Sequence, residues 1–166
     1  MFTSGIAWPR RALGVLAAFA AVVTLMAGPA SAEVYQECTG ATKSNVCLTI
    51  TDLGSGVVRV DIGIDYHISL EDARAILAPP GDPFMAKMFG DDPSFDNFLF
   101  WVDLDPAQLG ASAENGLSAG FSRTVPRSWL NEDWEGRDEV YGQVVLEDPR
   151  TGTIQRFNSP VISLNA

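Results

Sequence analysis

Hydrophobic and polar positions alternate without a break from residue 58 to residue 68. Val58, Val60, Ile62, Ile64, Tyr66 and Ile68 fall on one side, and Arg59, Asp61, Gly63, Asp65 and His67 on the other. Successive side chains of a strand point to opposite faces, whereas a helix would scatter these residues around its circumference. The pattern predicts a long strand over 57–68 with one buried and one polar face. Residues 46–51 alternate in the same way, with Val46, Leu48 and Ile50 opposite Cys47, Thr49 and Thr51. Asp52, Gly54, Ser55 and Gly56 supply turn chemistry between the two stretches, so they are expected to pair as a hairpin.

The period then changes. Ser69-Leu-Glu-Asp72 fits a capping box, in which the Ser side chain satisfies a free backbone N–H, and predicts a short helix to about Ala78. Pro79-Pro80-Gly81 must end it, because proline has no N–H and clashes with the preceding turn. A second short helix is expected over 82–90, capped by Asp82, opened by Pro83 and closed by Gly90. Its Phe84, Met85, Met88 and Phe89 would cover one end of the sheet, either as core packing or as the lining of a pocket.

Over 95–104, Phe98, Phe100, Val102 and Leu104 make one face apolar, and Leu99 and Trp101 make the other apolar too. Such a strand belongs in mid-sheet or under a covering helix. Residues 107–120, rich in Ala, Ser and Gly, read as a long surface loop, followed by a weaker strand over 120–125. Residues 139–147 and 153–164 form a last hairpin region, with Pro160 marking a bulge or an edge. Short strands at this spacing predict a mainly β fold, a two-sheet antiparallel sandwich of immunoglobulin-like look with one or two short helices. The buried Trp between two distant cysteines that marks true immunoglobulin domains is absent, so the likeness is one of architecture alone.

Composition adds a compartment. Arg10 and Arg11 precede an Ala/Leu/Val-rich run over 12–28, and Ala30-Ser31-Ala32 is a cleavage signal. Residues 1–32 are expected to be a cleaved signal peptide, which leaves 33–166 as a single secreted, extracellular domain starting at Glu33. The run is short for an uncleaved membrane anchor. The paired arginines lack the residues that usually follow them in a twin-arginine signal, so ordinary Sec export is expected. No Cys follows the cleavage site to carry a lipid, and no second apolar run is long enough to span a membrane.

Beyond residue 32 there are nine basic and 21 acidic residues, a net charge of −12 with His neutral. Such a surface repels nucleic acid and anionic membranes and leaves proteins, glycans and cations as partners. The only cysteines, Cys38 and Cys47, are expected to form one structural disulfide in an exported protein. Their spacing is wider than a C-x-x-C redox or metal pair. Closing so short a loop contributes roughly 2–3 kcal/mol.

Candidate chemistry is sparse. Asn131, Asp133 and Glu135 fall at positions 1, 3 and 5 of a calcium-loop pattern, Gly136 at position 6 and Glu139 at position 9. Position 12 is Gly142 instead of the bidentate Glu, so the motif is half complete and a solvated acidic loop is the alternative. Trp129 and Trp134 flank acidic and amide residues, as sugar stacking requires. Asp61, Asp65 and His67 share a polar face but make too few ligands for a metal site. Gly116-Leu-Ser118-Ala-Gly120 spells G-x-S-x-G, yet it falls in the expected loop and the only His lies upstream. With no assembled catalytic set, the expected function is binding or interaction with an unknown protein or glycan partner. A carbohydrate- or calcium-binding module and a small extracellular hydrolase are the alternatives. No cofactor is required on this reading, and calcium is the one that would fit.

Overall fold

The computed structural model describes residues 32–92, 95–131 and 137–165. The elements run β1 (Val34–Cys38), β2 (Ser44–Gly54), β3 (Val57–Tyr66), α1 (Leu70–Leu77), β4 (Phe84–Gly90), β5 (Asn97–Leu104), β6 (Gly110–Ser112), β7 (Gly116–Pro126), β8 (Arg137–Asp148), β9 (Thr153–Asn158) and β10 (Ile162–Asn165). All strand pairs are antiparallel, in the order β1-β2-β3-β7-β5-β4-β8-β10, with β6 also on β7 and β9 also on β8. The fold is therefore mainly β, one ten-stranded sheet curled into a half-barrel.

The strand that joins the two arms of this curl is β5. Its first part pairs with β4, from Val102 opposite Ala86 back to Asn97 opposite Gly90. Its last two residues, Asp103 and Leu104, pair instead with Ser122 and Phe121 of β7. A strand that changes partner along its length makes one continuous sheet of what strand count alone reads as the two sheets of a sandwich.

The organising hairpin forms as its pattern requires. Ser44 to Gly54 of β2 face Tyr66 to Val57 of β3, and Cys38 of β1 lies directly opposite Cys47 of β2, joined by the disulfide. The inward residues Val46, Leu48, Ile50, Val58, Val60, Ile62 and Ile64 merge with Phe84, Met88, Phe100, Phe121, Val140, Val144 and Leu146 into one core. The arms meet inside: the Tyr66 hydroxyl donates to Gln155 of β9 at 3.1 Å, and its ring lies 5.2 Å from that of Phe157. A Cβ at Gly142 of β8 would come within 2.8 Å of Ile62 Cδ1 of β3, so this glycine sets how closely the arms approach. The residue that breaks the calcium-loop pattern at its twelfth position thus faces the core.

Helix α1 starts as expected. The Ser69 side chain accepts the Asp72 N–H at 3.0 Å, and Ala73 and Ile76 turn inward. Asp72 also accepts from Arg150, which in turn binds Asp148, tying the helix to the β8–β9 turn. The Ser69 hydroxyl donates to the Asp72 carboxylate at 2.7 Å, and this bond first and then Arg150 hold the Asp72 carboxyl below the usual range, as the guanidinium of Arg150 does for Asp148.

Two expected elements are corrected. Residues 82–90 are not a helix, because Phe84, Ala86, Met88 and Gly90 point inward from β4 while Met85 stays exposed. The four-residue step from Phe84 to Met88 suits either a helix or a strand, and pairing with β5 and β8 on both sides decides it. Nor is 107–120 a loop. A 3-10 turn over Pro106–Gln108 leads into β6, and β7 begins at Gly116, with Leu117, Ala119 and Phe121 buried. Small residues are accommodated because β7 is flanked by β3 on one side and by β5 and β6 on the other. Pro160 does interrupt an edge: β9 and β10 both pair with β8, and the break between them is bridged where Ser159 exchanges hydrogen bonds with Gly142.

Candidate functional site

The outward surface of the curled sheet divides into two regions of different chemistry. On the first arm, Arg59, Asp61, Gly63 and Asp65 of β3 lie between Thr51, Thr49, Cys47 and Asn45 of β2 and Thr124, Ser122, Gly120 and Ser118 of β7. Ser122 donates to Asp61 at 2.7 Å, Ser118 donates to Asp65 at 2.6 Å, and Arg59 donates to Asp61 at 2.8 Å. The bare backbone at Gly63 leaves a depression of about 210 Å³ bordered by Asn45, Asp65, Gln108 and Ser118. Both carboxylates here already have donors, so the face is polar and satisfied.

The second arm presents rings. On β4, Lys87 lies opposite Trp101 of β5 and Gln143 of β8, and Phe89 lies opposite Phe98 and Tyr141. A register shift between Met88 and Phe89 makes Leu99 an extra residue on β5. This bulge lets Phe98 and Trp101, three apart, both point outward while Phe100 between them points into the core.

The result is a continuous aromatic run. Tyr141 and Phe89 stack at 5.4 Å with their planes 13° apart, Phe89 meets Phe98 edge-on at 6.0 Å, and Phe98 meets Trp101 edge-on at 5.7 Å. The Lys87 ammonium sits 4.7 Å from the centre of the Trp101 ring. At the other end the Tyr141 hydroxyl donates to Asp96 at 2.8 Å. Burial, then the hydrogen bond and charge of Asp96 and the charge of Asp91, push the Tyr141 phenol well above its ordinary value. Phe98 is 50 % exposed, Trp101 46 % and nearby Phe95 73 %. Among the described residues no helix or strand covers this face.

Trp129, expected as a stacking residue, is 47 % exposed but belongs elsewhere: its ring packs 5.8 Å from that of core residue Phe100, with the Arg123 guanidinium 5.8 Å away. Trp134, Asp133 and Glu135 lie outside the described residues, as do residues 1–31 of the expected leader. Asn131 is exposed and lines a cavity of about 520 Å³ with Arg127, Ser128 and Asp138, the last only 4 % exposed. Glu139 sits outward on β8 and accepts from Ser163 at 3.3 Å. Of the four calcium-loop candidates, only Asn131 and Glu139 are described, one at the end of a described segment and the other on a strand of the next.

Asp61, Asp65 and His67 form no metal site, and no group of three or more such ligands occurs among the described residues. His67 lies beyond the end of β3, exposed, with its backbone N–H donated to Lys43. Ser118 of the G-x-S-x-G letters sits on the straight strand β7, not on the strand-to-helix turn that activates such a serine. The disulfide is formed, and no described cysteine is free. No described helix is long and apolar enough to cross a membrane.

Phe89, Phe98, Trp101, Lys87 and Tyr141 carry no sequence motif. The signal for Phe98 and Trp101 is the strand apolar on both faces over 95–104, which reads as covered and is open on its outer side; Phe89 falls in the Phe/Met stretch over 84–89, and Lys87 and Tyr141 have no such signal. Comparison of the chain with protein-family models, with curated proteins and with solved structures gives no match.

Proposed function

We propose that the chain is an exported binding domain without catalysis of its own, and that the aromatic face of β4, β5 and β8 is where it meets its ligand. The observation that carries the reading is the pair Phe98 and Trp101, each about half exposed in a connected run of four rings. Apolar surface left open in a folded domain marks an interaction site more often than an accident of packing, and Trp and Tyr dominate the energetic centres of such sites. The leader pattern over 1–32, the disulfide and the strongly acidic domain support a secreted, extracellular setting. A hydrolase gains no support from Ser118, which is held on Asp65 in mid-strand.

The test is capture from the native extracellular milieu with the wild type and with Phe98→Ala plus Trp101→Ala as baits. A ligand held by the wild type and lost by the variant is the expected result; equal recovery would place the contact elsewhere. Calcium at Asn131, Asp133, Glu135 and Glu139 is a separate proposal. It requires that millimolar calcium raise the melting temperature, and that Asp133→Ala with Glu135→Ala abolish the rise.

A further inference from the structure

We infer that the ligand of the aromatic face is a protein segment presenting an apolar anchor beside Lys or Arg side chains. This rests on the reading of that face as the contact surface and adds the chemistry of the partner. Two observations carry it.

The first is how the rings are used. A glycan stacks on a bare aromatic face. Here Phe89 and Tyr141 lie face to face, Lys87 lies over Trp101, and Phe98 meets both its neighbours edge-on. One face each of Phe89, Tyr141 and Trp101 is therefore already taken. Such a surface fits an inserted apolar side chain, the usual anchor at the centre of a protein–protein contact.

The second is charge. The Tyr141 end of the run is bordered by Asp96, which holds the Tyr141 hydroxyl, and by Asp92, which accepts from Asn97 next to Phe98. Asp91 and Glu139 are joined there by a backbone hydrogen bond of 2.7 Å. Against these four carboxylates stand Lys87 over Trp101 and Arg123 on the Trp101 carbonyl at the other end of the run, with Arg137 two residues from Glu139 on the outward row of β8. In a chain of net charge −10, that arrangement complements a partner whose apolar anchor is flanked by positive charge. A second copy is a poor occupant, since it would bring its own four carboxylates and a net charge of −10 to the same surface.

The experiment uses the secreted protein to select from a displayed library of random peptides. The selected peptides are then titrated against the wild type, Trp101→Ala and Asp91→Asn plus Asp92→Asn, at low and high salt. The selected peptides should combine Lys or Arg with Trp, Phe or Leu. Trp101→Ala should weaken them about tenfold or more. The Asn pair and high salt should each weaken them several-fold, with melting temperatures unchanged. Peptides that bind Trp101→Ala as well as the wild type would remove the face itself and this inference with it. Binding that needs Trp101 but selects no basic residues, and ignores the Asn pair, would keep the face and overturn the inference. Three other results would also overturn it: no enrichment, a glycan-array signal lost in Trp101→Ala, or self-association in sedimentation lost in the same variant.

Discussion

The two arms of the sheet share one core yet turn opposite chemistries to the outside. On β2, β3 and β7 the outward rows are Thr, Asp, Ser, Asn, Gly, Arg59 and the bridged Cys47, with Asp61 and Asp65 each held by a serine hydroxyl. On β4, β5 and β8 the corresponding surface centres on Phe89, Phe98, Trp101 and Tyr141 beside Lys87 and Gln143, with Met85 on β4 and Arg137, Glu139 and Glu147 along β8. A satisfied polar face is content in water. An aromatic one keeps about half of each of two large rings wet for no gain in folding. On the reading proposed above, the second arm is shaped by a contact as well as by stability.

The largest effect expected tests that contrast within one strand. Phe100 and Phe98 are two residues apart on β5, the first 5 % and the second 50 % exposed. Phe100→Ala should cost about 3–5 kcal/mol in chemical denaturation, since it opens a cavity in the core. Phe98→Ala and Trp101→Ala should each cost about 1–2 kcal/mol, the half-buried ring area plus an aromatic pair. Equal losses for the inner and outer rings would make the face a structural layer and dissolve the comparison.

On the polar arm, Ser118→Ala and Ser122→Ala each remove one hydrogen bond to a partly exposed carboxylate. Each should lower stability by about 1 kcal/mol and leave ligand capture unchanged. Loss of capture in either variant would show that the two arms act as one surface.

The smallest effect, absent at neutral pH, concerns Tyr141. Its folded-state pKa is raised, chiefly by burial and then by Asp96. The stability that the neutral phenol contributes is therefore fully present below the unfolded tyrosine value of about 10, and is lost as the pH rises above it. Absorbance titration should show phenol still protonated near pH 11 while the fold persists, and Tyr141→Phe should remove the Tyr141 part of that signal and its share of the alkaline loss, leaving the part of Tyr35, which is also raised by its bond with Glu33.

What the amino-acid sequence determined by itself is what local rules can decide. The β2–β3 hairpin follows from two alternating runs and a Gly-rich turn, and α1 follows from Ser69 and the prolines after it. The Cys38–Cys47 bridge follows from two cysteines in a chain with a leader pattern, and the interrupted edge follows from Pro160. Only the tertiary structure decided the rest, because it turns on partners distant in the chain. Residues 84–90 are a strand because β5 and β8 offer their edges on both sides, and the small residues from Gly116 onward extend because β3, β5 and β6 pair with them. Whether the strands form two sheets or one depends on β5 passing from β4 to β7. The candidate site is the clearest case. Two apolar faces on 95–104 say that both are of use, but no local pattern says whether a neighbouring element covers the second. That depends on where the rest of the chain goes, and it leaves the rings of Phe98 and Trp101 in the open.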